Sequence, residues 1–257
     1  MIRAAWLLWA ALAAPARAPA SPAAAADAPP ARVLRIGGFE VAPMMVGEGL
    51  APIRGALPDY IMRTIAPHTG MRFEWLAPMT LQRAMQLLRD GKMDIALLVS
   101  GAKGADRGFA RFDWTYLQAQ PYLAVKPASP IQSVPSLAAL ADLEIGWVGG
   151  SVLPEELQPL RIRWQYVHAP NWQRINLHKL AAGRIQAAYF GNEFSAAYFA
   201  RKENLAVRLV RLPIANQPFE MAYSLKSDKQ AIAEFDKLAR AAFKDDQFRA
   251  FLASYRD

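Results

Sequence analysis

The sequence contains no cysteine. Disulfides, a thiol nucleophile and thiolate metal sites are thereby excluded, and a chain of 257 residues must rest on its hydrophobic core. Histidine is scarce: His68, His168 and His178 are isolated, with no metal-ligand spacing and no nucleophile beside them. No Gly-x-Ser-x-Gly elbow and no phosphate-loop string supports hydrolysis or phosphoryl transfer. Past residue 30, no stretch approaches the roughly twenty apolar residues of a transmembrane helix. Charge of one sign is not clustered either. The formal net charge is +8, yet Arg32, Arg35, Arg54, Arg72, Arg161 and Arg163 are scattered. No run of like charges, zinc spacing or RNA-binding aromatic signature marks a nucleic-acid surface, and the charge supports mild attraction to anionic ligands or lipid headgroups.

The first thirty or so residues differ from the rest. Arg3 precedes an apolar run over 4–14 that is too short to span a bilayer but suits the centre of a secretory signal. Ala24, Ala25 and Ala26 before Asp27 offer a cleavage site, with Ala18 to Ala20 before Ser21 as a second. The reading is a signal peptide over 1–26, a disordered linker over 27–32 and a periplasmic mature protein; a retained membrane anchor is the alternative. Arg3 and Arg17 belong to the leader, so the remainder carries about +6.

The mature chain is organised around residues 80–99. Leu81, Ala84, Met85 and Leu88 recur at helical spacing, opposed by Gln82, Arg83, Gln86 and Arg89. Gly91 stops this helix in the left-handed conformation, and the continuous apolar run 95–99 then reads as a strand covered on both faces. The unit recurs: Leu88-x-x-Gly91-x-x-Asp94 is echoed by Leu180-x-x-Gly183-x-x-Gln186, each leading into an apolar strand. Upstream of each copy a short strand runs into glycine, at Gly37 and at Gly146. Two α/β lobes of similar build are expected.

Strand 33–36 exits through Gly37, Gly38, Phe39 and Glu40, where glycines admit close approach of a ligand and Phe39 offers a flat face. Residues 42–58 read as a loop, Pro58 opens a helix, and 71–76 alternates as a strand. Beyond strand 95–99, Ser100, Gly101 and Arg107 lie where open α/β sheets bind ligands, and an arginine fork there can grip a carboxylate. Residues 121–126 are extended and lead out of the first lobe, 127–135 are a connector, and 136–142 a short helix capped by Ser136. Strand 143–148 opens on Gly149, Gly150 and Ser151 before Pro154, Glu155 and Glu156, read as a glycine turn leading into a helix and so as an anion site. A helix over 171–182 with Trp172, Ile175 and Leu180 inward, strand 185–190, strand 205–212 and the returning strand 219–225 follow. Residues 230–255 carry an amphipathic pattern for one or two helices on the first lobe.

These stretches resemble the family-3 type of extracytoplasmic solute-binding proteins, typical of polar amino acid uptake. The likeness is carried by Leu57-Pro58-Asp59-Tyr60, the Gly91 and Gly183 units, Asp106-Arg107 followed by Phe112 and Pro121-Tyr122, Gly146-x-x-Gly149-Gly150-Ser151, and residues 248–255. It implies an α/β, two-lobed periplasmic-binding fold of type II, each lobe a mixed, mostly parallel sheet flanked by helices, joined by a two-strand hinge. The first lobe takes 33–122 and 222–257, the second 123–221. Arg107 falls on the family's ligand-carboxylate arginine, Phe39 near the aromatic that packs on the solute, and Gly150-Ser151 on the second lobe's N–H donors. The acidic residue for the ligand amine falls at Gly191, with Asn192 and Glu193 adjacent.

The expected function is capture of a small carboxylate-bearing solute, an amino acid or related organic acid, for an ABC-type permease. The expected site is Arg107, Ser100, Gly101, Phe39, Gly150, Ser151, Asn192 and Glu193, with no catalytic residue, metal or cofactor. A monomer with no nucleic-acid partner is expected. The alternatives are a stand-alone ligand sensor and a dehydratase acting on prephenate-like or arogenate-like cyclic acids, with Glu193 or Glu40 as general acid.

Overall fold

A computed structural model describes residues 32–99 and 108–255 of the chain. The expected signal peptide and most of the expected linker lie outside them.

In the first lobe β1 (Val33–Gly37) is followed by α1 (Ala56–Thr64), β2 (Arg72–Trp75), α2 (Leu81–Asp90) and β3 (Ile95–Val99). β1 is central to a parallel triad with β2 and β3. α2 begins and ends as its sequence directs. The Thr80 side chain accepts from the Arg83 N–H, and Gly91 closes the helix at φ 73°. α1 starts two residues before the expected Pro58, because the carbonyls of Pro43 and Met44 accept from the N–H groups of Ala56 and Leu57. Gly55 makes that approach feasible: φ is 120°, and a Cβ there would lie 2.6 Å from the Pro43 oxygen.

The short strands β4 (Phe109–Arg111) and β5 (Leu117–Ala119) lead to β6 (Tyr122–Val125), the first strand of the other sheet. That lobe continues with β7 (Glu144–Val148), β8 (Arg163–Val167), α3 (Trp172–Ala181), β9 (Ala187–Phe190), α4 (Ser195–Lys202) and β10 (Arg208–Arg211). Its order is β10-β6-β9-β7-β8, again a parallel triad, β8-β7-β9, joined antiparallel to the crossing strands. β11 (Gln217–Ser224) returns to the first sheet, pairing antiparallel with β3, β4 and β5. β11 begins at Gln217, inside the stretch 123–221 read as the second lobe with its hinge strands. α5 (Lys229–Ala242) and α6 (Gln247–Ala253) then bury Ile232, Phe235, Phe248 and Leu252 against the first lobe, as their periodicity predicts.

The two copies of the sequence unit do the same structural work. The Asp94 N–H donates to the Arg35 carbonyl while its carboxylate accepts from the Arg35 N–H at 2.8 Å. Gln186 repeats this on Glu144, donating its N–H to the carbonyl and accepting the N–H on Oε1 at 2.8 Å. Both glycines are left-handed, Gly91 at φ 73° and Gly183 at φ 72°. Asp94 goes further than Gln186: buried, it also accepts from the Arg35 guanidinium at 2.9 Å and from Ser227 Oγ at 2.6 Å, tying β1 to the approach of α5.

Three local expectations change. Residues 136–142 and 154–158 form only 3-10 turns, Leu137–Leu140 and Glu155–Leu157, and Ser136 makes no side-chain cap. The run 42–55 is a loop and 56–58 already belong to α1, and within the loop Ala42, Met44, Met45 and Ile53 are buried. In α3 the buried positions include Gln173 and Asn176, whereas Ile175 is only half-buried.

Candidate functional site

The C-terminal ends of β1, β7 and β9 converge where the lobes meet, and their following residues supply the described part of the site. Ser100, Gly101 and Arg107 lie outside the described residues.

Phe39, two residues past β1, is half-buried and packs against the cores of both lobes. It is thus the expected site residue that the fold places squarely between them. The next residues fasten the first lobe to the second. The Glu40 carbonyl accepts from Trp172 Nε1 at 3.1 Å, the Ala42 N–H donates to Gln173 Oε1 at 3.1 Å, and the Ala42 carbonyl accepts from Ser195 Oγ. Ala42 itself sits in an apolar cluster with Leu177, Phe190 and Phe199.

The Glu40 carboxyl is 3% exposed and its Oε2 has no partner among the described residues. Burial pushes its pKa up to about 7, with Arg174, the Gly47 N–H and Lys202 pulling the other way and Glu48 adding to the rise. At the outer rim Glu48 lies 4.0 Å from Arg174 and 3.8 Å from Lys202, exposed pairs that add little.

The Gly149-Gly150-Ser151 turn differs from its expected form. With only a 3-10 turn beyond it, no helix dipole is aimed there. Space above the turn is already taken: a Cβ on Gly149 would lie 2.1 Å from the His168 ring, and one on Gly150 2.5 Å from Gln82 Nε2. Gln82 comes from α2 of the first lobe and reaches His168 Nδ1 at 2.9 Å. Among the described residues Ser151 Oγ has only a long contact, 3.5 Å, to the Val152 carbonyl.

Asn192 and Glu193, expected to face the solute, both have partners within the protein. Asn192 is buried and caps α4, its Oδ1 accepting from the N–H groups of Phe194 and Ser195 at 2.9 Å. Glu193 pairs with Arg249 of α6 at 2.8 Å and accepts from the Gln120 N–H at 3.3 Å. These contacts hold the lobes at the hinge.

Gln120 is the hinge residue that sequence reading missed. Buried between the two crossing segments, its Nε2 donates to the carbonyls of Leu212 at 3.0 Å, Ile214 at 3.2 Å and Pro121 at 3.2 Å, while Oε1 accepts from Arg211 Nε at 3.0 Å. A glutamine before Pro121-Tyr122 carries no local signal of that role.

A second missed feature is the aromatic wall beneath Gly191. Trp147, Tyr189 and Phe219, with Val152, Pro154, Gly191 and Gln217, line a cavity of about 20 Å³, enough for about one water. Trp147 meets Tyr189 edge-on at 4.4 Å and Trp172 at 5.2 Å, so its ring is fixed. Among the described residues no group of three or more His, Cys, Asp or Glu could hold a metal ion.

No protein-family profile and no curated protein matches the sequence. Solved structures do match in fold. The periplasmic domain of BvgS from B. pertussis aligns with a TM-score of 0.71 at 15% identity, over 88% of this chain but 43% of that one, so the chain spans less than half its length. AbpA from Streptococcus pneumoniae, an amino acid ABC transporter substrate-binding protein bound to L-arginine, aligns at 0.68 and 21% over 87% and 94%. The ancestral amino acid-binding protein AncCDT-1, a precursor of cyclohexadienyl dehydratase, aligns at 0.67 and 19% over 88% and 95%. With two mixed sheets flanked by helices and crossed twice by the chain, the protein has the two-lobed type II periplasmic-binding fold of these structures.

Proposed function

We propose that this chain is a periplasmic solute-binding protein that takes a small carboxylate-bearing solute between its lobes and delivers it to an ABC-type permease. The observation that carries the reading is the position of Phe39, packed into both lobe cores at the convergence of the strand ends. AbpA and AncCDT-1 are named for amino acid binding on the same fold. In this reading Arg107, with Ser100 and Gly101, grips the carboxylate, Phe39 covers the apolar part, and hinge rotation about Gln120 opens and shuts the cleft. Capture involves no bond chemistry, and the protein acts as a monomer.

A thermal-shift panel of amino acids and small carboxylates tests it. A ligand at a hundredfold excess over its Kd should add roughly 2.7 kcal/mol of stability, and Arg107→Met should remove the shift. A panel without any stabilising ligand, joined to a scattering envelope that no ligand changes, would refute the reading.

A catalytic reading has one observation in its favour. The Glu40 carboxyl, held near 7, is protonated far more than an ordinary glutamate at neutral pH, as a general acid must be. Glu193, the other acid considered, is engaged by Arg249. Incubation with prephenate or arogenate, followed by aromatic absorbance, decides between turnover and binding.

A further inference from the structure

The aromatic wall of the second lobe contains a hydrogen-bond donor with no acceptor. Trp147 is 7% exposed, and its Nε1–H is buried without a partner among the described residues. A buried unpaired donor costs roughly 1–3 kcal/mol, and the indole cannot turn away, because Tyr189 and Trp172 hold it edge-on. The other lining groups are Tyr189, Phe219, Val152, Pro154, Gly191 and the neutral amide of Gln217, whose Nε2 is occupied by the Ala215 carbonyl. Among these described residues none carries a negative charge. Glu156, whose field reaches Tyr189, is exposed and screened by water. An ammonium group brought against this wall would lose water and meet no counter-charge, whereas an oxygen acceptor on an apolar skeleton would satisfy Trp147.

Resting on the solute-binding reading, we infer that Trp147 selects the solute by donating its indole N–H to a carbonyl oxygen beside the acid group, and that the solute is an amine-free organic acid with an apolar or ring-bearing body. The lobes must part for it to enter, since the cavity as it stands holds about one water.

The test is calorimetric titration of the full mature chain with matched pairs: phenylpyruvate against phenylalanine, and 4-methyl-2-oxopentanoate against leucine. The 2-oxo acid of at least one pair should bind about ten-fold tighter than its amino acid. Trp147→Phe keeps the aromatic wall and removes the donor; it should weaken the 2-oxo acid about ten-fold and leave the amino acid unchanged. Gly191→Asp supplies a second variant, since among the described residues a Cβ there meets only Phe219, at 3.8 Å. Its carboxylate should move the ratio toward the amino acid. The wild-type ratio needs no variant to fold. Amino acids that bind the wild type tighter, a Trp147→Phe protein that binds 2-oxo acids as the wild type does, or a ratio that Gly191→Asp leaves unmoved would each overturn the assignment while solute capture stands. If neither these acids nor any member of the wider carboxylate panel binds, both readings fall together.

Discussion

Gln82 of the first lobe and His168 of the second meet at 2.9 Å, amide Nε2 to ring Nδ1, above the Gly149-Gly150 turn. The amide nitrogen is a donor, so the ring nitrogen accepts. The contact shuts the lobes over the turn from the solvent side. Gln82→Ala should therefore populate a more open form. Small-angle scattering of the solute-free protein is expected to give a larger radius of gyration for the variant; an identical radius would show that the contact does not hold the lobes.

The Glu40 carboxyl makes stability depend on pH. Its pKa is raised to about 7 in the folded state, so between roughly 4.5 and 7 the unfolded chain has released a proton that the folded one keeps. Its contribution to stability is full below that window and lost as pH rises through it, by up to about 3 kcal/mol. Glu40→Gln abolishes that component. The difference in Tm between Glu40→Gln and wild type should grow in the variant's favour from pH 4.5 to 8, and a difference that stays flat would refute it.

Gln120 joins the two crossing segments by three side-chain hydrogen bonds, donated to Leu212 and Ile214 and accepted from Arg211. Gln120→Leu leaves the carbonyls of Leu212 and Ile214 without their donor. A loss of about 2–3 kcal/mol in urea unfolding is expected, with faster amide exchange at both crossings. Exchange confined to one crossing would mean that Gln120 does not couple them.

Gly146 makes room for a buried side chain that has no hydrogen-bond partner of its own. A Cβ on Gly146 would lie 2.5 Å from Asn176 Oδ1 and 2.8 Å from Ile185 Cδ1, and both polar atoms of the Asn176 amide are unpartnered among the described residues. Gly146→Ala should cost about 1–3 kcal/mol. In an Asn176→Ala background the cost should fall by more than half, whereas additive losses in denaturant midpoints would sink the idea that the two share one space.

How much of this could be read in advance depends on how far apart the partners lie. The span from Thr80 to Val99 was legible almost residue by residue, because a cap, an apolar stripe, a left-handed glycine and a buried strand are all decided within a few residues. The second copy was legible for the same reason, although there it is Gln186 that repeats the backbone clasp of Asp94. Edge strand β8 and helix α4 were missed: β8 carries little periodicity, and α4 has eight residues and a cap, Asn192, read instead as a ligand contact.

The sequence alone determined the two-lobed build, the repeat and the helix-glycine-strand cores, since local sterics and hydrophobic periodicity act between neighbours along the chain. Tertiary structure decided the fate of the polar residues at the strand ends. Glu193 became a hinge clasp through Arg249, 56 residues away, and the Gly149-Gly150 turn was covered by Gln82, whose partner His168 is 86 residues off. The Glu40 carbonyl was claimed by Trp172 across 132 positions. A carboxylate or amide is equally able to bind solute, cap a helix or pair with an arginine. Which of these it does depends on the group that folding brings within about 3 Å, and chain-local patterns carry no record of that distance.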